Sequence, residues 1–177
     1  MKHVTLIFTL GLILLTGNVD AQKRATKFTS VYTNTGSDCK TIKGTNGSDD
    51  ASDCRGAGGY RINISASAAT LSVSASTPDK KETMTIATQN FDFDNKPHTV
   101  EWRLANGKPF AIILRVDKYG AADDANPYLG KKIGEELRVV GLREFENIDF
   151  TVDAKTPNAN LKARELADAA YRQKQKN

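Results

Sequence analysis

One stretch of the chain, residues 99–116, constrains its fold more than any other segment. It has the sequence TVEWRLANGKPFAIILRV, in which two apolar runs flank the dipeptide Asn106–Gly107. An Asn-Gly pair between apolar runs is the preferred composition of a two-residue type I′ turn, because both turn positions need a positive φ. The stretch therefore predicts a β-hairpin, and hence an antiparallel sheet in this part of the chain.

The turn also determines which residues of the hairpin lie opposite one another. Ala105 faces Lys108, and counting outward places Trp102 opposite Ala111. On this register one face carries Val100, Trp102, Leu104, Pro109, Ala111 and Ile113, and the other carries Glu101, Arg103, Phe110 and Ile112. The second strand is apolar on both faces, which is typical of a central strand that is covered on each side.

Period-two alternation of apolar and polar residues recurs in the rest of the chain. The apolar positions are Tyr60, Ile62 and Ile64, then Leu71, Val73 and Ala75, then Met84 and Ile86, and finally Ile148, Phe150 and Val152. A strand with one apolar face suits an antiparallel sheet that has one side in water. Together with a strand over residues 28–33, these runs predict an all-β domain of six to eight antiparallel strands. We expect a sandwich or a barrel-like sheet.

The two cysteines, Cys39 and Cys54, are separated by fourteen mostly polar residues. In an exported chain, cysteines that flank a flexible polar loop predict a structural disulfide, which constrains the unfolded chain by about 3 kcal/mol. A redox pair is the alternative, although such pairs are usually spaced Cys-x-x-Cys near a helix start. The glycine-rich sequence RGAGGY that follows suits a sharp turn or a bulge, whereas a phosphate-binding loop would need a helix after it.

The first 21 residues have the pattern of a secretory signal. A basic start precedes an apolar run of about a dozen residues, too short to cross a bilayer, and small residues then suit cleavage before Gln22. We therefore expect a periplasmic or secreted protein with no transmembrane segment after cleavage. Its predicted parts are a signal peptide over 1–21, an antiparallel β domain over 22–154, and a C-terminal helix with a basic tail over 155–177.

The C-terminal segment predicts a helix and holds the net charge of the chain. Thr156 suits an N-cap and Pro157 the first helical position, and helix-forming residues extend from Asn160 to Gln173. Six basic residues against two acidic ones make this segment +4, so the β domain itself is neutral. A neutral domain argues against a nucleic-acid partner. The helix either docks on the sheet or makes a weak contact with an anionic surface such as lipid headgroups.

Few residues of the chain suit catalysis or metal binding. It has two histidines, one of them in the predicted signal peptide, so we expect neither a metal site nor a cofactor. On an extended strand His98 and Glu101 point to opposite faces, whereas Glu101 and Arg103 share a face and suit a charge pair. Neither the Gly-x-Ser-x-Gly motif of serine hydrolases nor the His-Glu-x-x-His motif of zinc proteases occurs. The remaining basis for a hydrolase is a pair of carboxylates from Asp92, Asp94 and Glu101.

Several short motifs together resemble a group of uncharacterised exported bacterial proteins. The motifs are VYT before Asp38–Cys39, CRGAGGY over 54–60, EWR over 101–103, GKPFAIILR over 107–115, VDA over 152–154, AN at 159–160, AR at 163–164 and AD at 167–168. The similarity spans most of the chain after the predicted leader. This resemblance implies bacterial export and a disulfide, and it carries over no catalytic residue.

These observations favour a non-enzymatic binding or inhibitor-like module whose partner is an envelope protein or a glycan. Long loops on a rigid sheet often carry binding, so we expect the contact surface in the loops over 39–60 and 117–134. In the first loop the candidate binding residues are Asp49, Asp50 and Asp53. Solvated acidic turns are the alternative, and the spacing of a calcium loop is missing. The rival function is a hydrolase of envelope polymers that uses carboxylates near the hairpin.

Overall fold

The computed structural model describes residues 25–44, 50–67, 70–90, 98–125 and 127–176. The predicted signal peptide lies outside these ranges. The described residues form two five-stranded antiparallel sheets and a C-terminal helix, and neither sheet closes into a barrel. The predicted β-dominated sandwich with a C-terminal helix is therefore confirmed.

The strands of the described chain are numbered in chain order. They are β1 (Phe28–Asn34), β2 (Cys39–Ile42), β3 (Ala51–Arg55), β4 (Arg61–Ser67), β5 (Thr70–Ser76), β6 (Thr83–Asn90), β7 (Thr99–Ala105), β8 (Lys108–Tyr119), β9 (Lys132–Gly141) and β10 (Asp149–Asp153). A 3₁₀ turn, Ala57–Gly59, follows β3, and the helix α1 covers Ala159–Lys174. These strands outnumber the six to eight expected, because β2 and β3 are too polar to show an apolar alternation.

The strands are divided between two sheets that pack face to face. Sheet I has the order β1-β7-β8-β9-β10, and sheet II has the order β2-β3-β4-β5-β6. Sheet II follows its apolar alternation: its register pairs Ile62 with Ala75 and Ile64 with Val73, and all four are buried toward sheet I. The serines that alternate with them lie on the opposite, outer face.

The core between the sheets centres on Trp102, whose side chain is fully buried. Its indole Nε1 donates a hydrogen bond to Thr33 Oγ1 at 2.9 Å, and Thr33 Oγ1 donates to the carbonyl of Arg55 at 2.7 Å. A buried polar group without a partner costs about 1–3 kcal/mol, so these bonds matter for stability. They also join β1 and β7 of sheet I to β3 of sheet II.

Strand β8 lies in the middle of sheet I and is buried on both faces, as predicted from its apolar residues. Ile112 and Leu114 face sheet II, whereas Ile113 faces α1. The buried alanines of the helix are Ala159, Ala163, Ala167 and Ala170. Their spacing of three or four residues places them on one side of the helix, and their small side chains let its backbone approach the sheet closely.

The hairpin has the predicted turn, but its register differs from the prediction farther from the turn. Trp102 pairs with Ile112 and not with Ala111, because the register shifts by one residue within the β7–β8 pair. This β-bulge adds one residue to β8. As a result Phe110 and Ala111 both enter the core beneath the helix, where the Phe110 ring lies 4.7 Å from that of Tyr171.

The helix begins later than the sequence predicts. Its first residue is Ala159, and Asn158 precedes it with a left-handed backbone at a φ of 57°. The carbonyl of Thr156 accepts a hydrogen bond from the N–H of Ala159 at 3.1 Å, so Thr156 and Pro157 belong to a turn before the helix. The prediction of Thr156 as N-cap and Pro157 as first helical residue is wrong, because a Thr-Pro pair also suits a tight turn.

The predicted disulfide, Cys39–Cys54, joins directly opposite residues of β2 and β3. The segment between them was expected to be a flexible loop, but its described ends pair as strands. The predicted glycine turn follows, with Gly59 at a φ of 85°. Gly56 is required for a different reason, since a Cβ at this position would overlap the buried ring of Trp102.

Candidate binding groove

A groove opens on the outer face of sheet I beside the first two turns of α1. It has a volume of about 360 Å³ and is lined by Tyr32, His98, Thr99, Glu101, Ile113, Arg115, Leu137, Asn160 and Arg164. These residues belong to four strands of sheet I, to the residue before β7 and to α1, so the groove forms when the helix docks on the sheet. A cleft of this size is within the range that holds small ligands.

The groove has an apolar base and a polar rim. Ile113 and Leu137 lie on neighbouring strands and are buried, so they form the base. Tyr32 stands at one side and is 56% exposed, and Asn160 is exposed on the helix. A ligand in the groove therefore meets an apolar surface beneath it and hydrogen-bonding groups around it.

The buried carboxylate of the groove, Glu101, accepts three hydrogen bonds. Arg164 donates from Nε to Oε1 at 2.7 Å and from Nη2 to Oε2 at 3.0 Å, and Ser30 Oγ donates to Oε1 at 2.5 Å. The hydrogen bond to Glu101 raises the pKa of Arg164 above its already high ordinary value. Both carboxylate oxygens of Glu101 are therefore engaged by charge-assisted or hydroxyl hydrogen bonds within the protein.

A second ion pair lies one helical turn farther along α1. Arg103 donates from Nε and Nη2 to the two carboxylate oxygens of Asp168, at 2.8 and 2.6 Å. Arg103 Nη1 also donates to Ser30 Oγ at 3.0 Å, so Ser30 contacts both pairs. Glu101 and Arg103 share a face as predicted, but the expected charge pair between them is replaced by one pair from each to α1.

His98 and Glu101 were expected to point to opposite faces, yet both line the groove. His98 lies directly before Thr99, the first residue of β7, and the direction of its side chain stays a prediction. The backbone of His98 is held by Thr35: its N–H donates to Thr35 Oγ1 at 2.8 Å, and its carbonyl accepts from the Thr35 N–H at 2.9 Å. These two bonds fix the backbone of His98 at the end of the groove.

Arg115 is the second cation of the groove and differs from Arg164 in its surroundings. Its side chain is 44% exposed, and its contact with Glu135 is long, at 3.5 Å between Nη1 and Oε2. An ion pair of this length at the surface contributes little to stability. The guanidinium can therefore turn toward a ligand at small cost, whereas that of Arg164 is engaged by the buried Glu101.

The acidic residues predicted to bind a partner are Asp49, Asp50 and Asp53. Asp49 is outside the described residues. Asp50 is exposed just before β3; its hydrogen bonds from Lys43 Nζ, at 2.5 Å, and from the N–H of Gly44 lower its pKa. Asp53 lies on β3, on the outer face of sheet II, and forms an ion pair with Arg61 of β4. Neither Asp50 nor Asp53 lines the groove, and the binding role of the three residues stays a prediction.

The second predicted binding loop, over 117–134, is shorter than expected. Its first and last residues belong to strands β8 and β9, which leaves residues 120–131 as the connection. Asp117 forms an ion pair with Lys132 at 2.7 Å across the two strands. Asp123 and Asp124 are exposed in the connection. The part of the loop that is open to a partner is thus the segment between the strands.

The C-terminal helix docks on the sheet, which is one of the two arrangements expected for it. The Arg172 guanidinium lies 4.7 Å from the centre of the Phe28 ring, and Lys174 Nζ lies 5.2 Å from that of Phe145. A contact of these cations with an anionic surface stays a prediction. No helix in the described ranges is long and apolar enough to cross a membrane, and no cluster of metal-binding side chains occurs there.

The chain matches no protein-family model, no curated protein and no solved structure. The resemblance to exported bacterial proteins therefore stays a prediction, and the groove must be judged from its own residues. Its main members on the helix, Asn160 and Arg164, were placed by the sequence in the predicted C-terminal helix, but without a binding role. Their spacing of four residues, which places them on one helix face, was the available signal.

Proposed function

We propose that the protein is an exported, non-enzymatic binding protein that holds an acidic glycan in the groove beside α1. The observation that carries this proposal is the state of Glu101, which is bonded to Arg164 and Ser30. Glu101 is the sole carboxylate among the described residues that line the groove. The groove therefore offers cations and hydrogen-bonding groups around a ligand, without the two free carboxylates that glycoside hydrolysis requires.

The remaining residues suit a sugar that carries a carboxylate. The planar guanidinium of Arg115 can donate two parallel hydrogen bonds to a carboxylate. Tyr32, Thr99 and Asn160 supply donors and acceptors for sugar hydroxyls at the rim. The apolar base contacts the C–H face of the sugar ring. An acidic glycan uses all three features, whereas a neutral glycan leaves Arg115 with only its long contact to Glu135.

Export is part of the same proposal. The first 21 residues support it through their signal-like pattern, and the Cys39–Cys54 disulfide supports it because disulfides persist mainly in oxidising compartments. Acidic glycans are common constituents of the surroundings of an exported protein. The envelope is therefore the place where we expect the ligand.

The test is a calorimetric titration with a short oligogalacturonate and with its methyl ester, which has the same rings without the charge. We expect binding of the acid, weak or no binding of the ester, and a loss of about tenfold in affinity for Arg115→Gln, the size of one charge-assisted interaction. Arg138→Gln is the matched control, because Arg138 lies on the neighbouring strand β9 with its side chain on the opposite face of sheet I. Equal binding of acid and ester, or no effect of Arg115→Gln, would overturn the acidic-glycan proposal.

The same samples test the non-enzymatic part of the proposal. After prolonged incubation with the protein, mass spectrometry should recover the oligogalacturonate at its original length. Shortened products that are missing from a Glu101→Gln sample that is folded and still binds the glycan would instead establish the rival hydrolase. Products that persist in that sample would point to a contaminating enzyme, so the mature protein would be repurified and the incubation repeated.

A further inference from the structure

Strand β1 forms an edge of sheet I that lacks the usual protection. It pairs with β7 over all of its residues without a bulge, and its other side has no strand beside it in the described sheet. Its sequence, FTSVYTN, has no charged residue and no proline. Natural edge strands are normally guarded by charges, prolines or bulges, because open backbone groups recruit another strand. The opposite edge, β10, follows this rule with Asp149 and Asp153.

The register determines which backbone groups of β1 face outward. Asn106 donates its N–H to the carbonyl of Lys27 at 2.8 Å, and Thr35 donates its N–H to the carbonyl of His98 at 2.9 Å. The backbone N–H and carbonyl groups of the odd-numbered residues of β1 therefore point toward β7. In an antiparallel pair these groups alternate in direction, so those of the even-numbered residues point away from the sheet. These outward residues are Phe28, Ser30, Tyr32 and Asn34.

The open part of the edge ends at Tyr32, because a turn uses the outward groups of Asn34. The N–H of Asn34 donates to Asp38 Oδ2 at 2.7 Å, and its carbonyl accepts from the N–H of Asp38 at 2.9 Å. Apolar surface remains along the open part, where Val31 is 42% exposed and Tyr32 is 56% exposed. The edge thus combines unpaired backbone with exposed side chains on both of its faces.

We propose that two copies of the protein pair through β1, antiparallel, about a two-fold axis at Ser30. In this register Ser30 lies opposite Ser30 of the second copy, and Phe28 lies opposite Tyr32. Each of these pairs consists of outward residues and exchanges two backbone hydrogen bonds. The two copies of sheet I then form one continuous sheet, in an isologous contact of the kind that closes a dimer.

The strand suits a second copy of itself better than an unrelated peptide. With the axis at Ser30, each residue whose backbone groups are unpaired lies opposite another such residue. Phe28 and Tyr32 then form an aromatic cross-strand pair. Val31 is covered by Thr29 of the second copy. Lys27, which is exposed, lies in the same register beside the turn that carries Asp38, so the ends of the contact have complementary charge. Strand β1 itself contributes no charged side chain to the contact.

Analytical ultracentrifugation over a dilution series tests this dimer. A contact one strand wide is small, so we expect a dimer at high concentration that dissociates on dilution. Val31→Lys should remain monomeric at all concentrations, because it places a charge on the edge. Ile133→Lys, which replaces another exposed apolar residue, should behave as the unchanged protein. A monomer at all concentrations, or a dimer that Val31→Lys leaves intact, would overturn the proposal.

Hydrogen exchange gives a readout that needs no variant and remains valid if Val31→Lys fails to fold. The outward N–H groups of Ser30 and Tyr32 should exchange more slowly at high than at low protein concentration, whereas that of Val31 should be protected at both. Exchange of Ser30 and Tyr32 that is independent of concentration contradicts the dimer. This result would not bear on glycan binding, which the titration tests separately.

Discussion

Arg103 on β7 and Asp168 on α1 form the most buried ion pair of the described residues, with side chains 12% and 11% exposed. The pair connects the central part of sheet I to the helix that walls the groove. Removing one partner leaves the other charged, buried and poorly solvated, which typically costs more than the pair contributes as a whole. The position of α1, and with it the groove, therefore depends on this contact.

We expect Asp168→Asn to lower the free energy of unfolding by about 3 kcal/mol. Urea denaturation followed by circular dichroism measures this change. Glu165→Gln is the matched control, because Glu165 is exposed on the same helix, and it should change stability by less than about 0.5 kcal/mol. Similar effects of the two substitutions would show that the ion pair does not hold the helix.

The close approach of Gly56 to Trp102 yields a second prediction. Gly56→Ala places a methyl group where the indole ring lies, so the ring or the turn must shift, and we expect a loss of stability of about 1–3 kcal/mol. Gly134→Ala is the control, since a Cβ at that position has no atom within 4 Å. Thermal melts of both variants measure this difference in stability. A Gly56→Ala protein as stable as the control would mean that the turn relaxes freely.

The parts of the fold that the sequence predicts are those determined by local alternation. Strand β8 could be recognised as central because both of its faces are apolar. The same property hid the bulge near Phe110: when both faces are apolar, inserting one residue leaves no trace in the pattern. Strands β2 and β3 were missed because they are polar and are held by a disulfide. In each case the structural feature leaves the alternation of apolar and polar residues unchanged, so that alternation could not predict it.

The groove could not be predicted, because it depends on where α1 docks. Arg164 and Glu101 are 63 residues apart in the chain, and no local signal links them. The sequence did indicate that Glu101 lies on the face opposite Trp102, which the structure shows. It placed Arg164 in the C-terminal helix as one of six basic residues, but a count of charges does not show which residue each charge contacts. A polar pair between residues so far apart in the chain can be identified only when the position of α1 on sheet I is known.

A surface cluster predicts how stability depends on pH. Arg143, in the connection between β9 and β10, donates two hydrogen bonds to Glu82, from Nη2 to Oε1 at 2.7 Å and from Nε to Oε2 at 3.1 Å. These hydrogen bonds lower the pKa of Glu82. A carboxyl group whose pKa is lower in the folded than in the unfolded state stabilises the fold above the unfolded pKa. This contribution is lost as the pH falls through the folded value.

We therefore expect the melting temperature to fall between about pH 5 and about pH 3, and Arg143→Gln to reduce that fall. Lys118→Gln, which removes an exposed cation from β8, should leave the slope as it is in the unchanged protein. Calorimetric melts across this pH range provide the measurement. Parallel curves for the protein and Arg143→Gln would exclude the cluster as a source of acid sensitivity.

The pair of Glu101 and Arg164 provides the last prediction, and a double-mutant cycle is the appropriate measurement. Glu101→Gln and Arg164→Gln each leave a charged partner behind, and Glu101 is only 7% exposed, so each substitution should destabilise the fold. In the double variant neither charge remains. We expect its loss of stability to fall short of the sum of the single losses by about 1–2 kcal/mol.

This coupling distinguishes a structural carboxylate from a catalytic one. If Glu101 serves chiefly to hold α1 beside the groove, the single variants lose stability together with glycan affinity, and the double variant regains part of both. A carboxylate reserved for chemistry would couple weakly to Arg164 and would leave binding intact when changed to Gln. Additive losses in the cycle, with unchanged glycan affinity, would therefore contradict a structural role for the pair. Coupled losses would tie the groove to the ion pair that forms its wall.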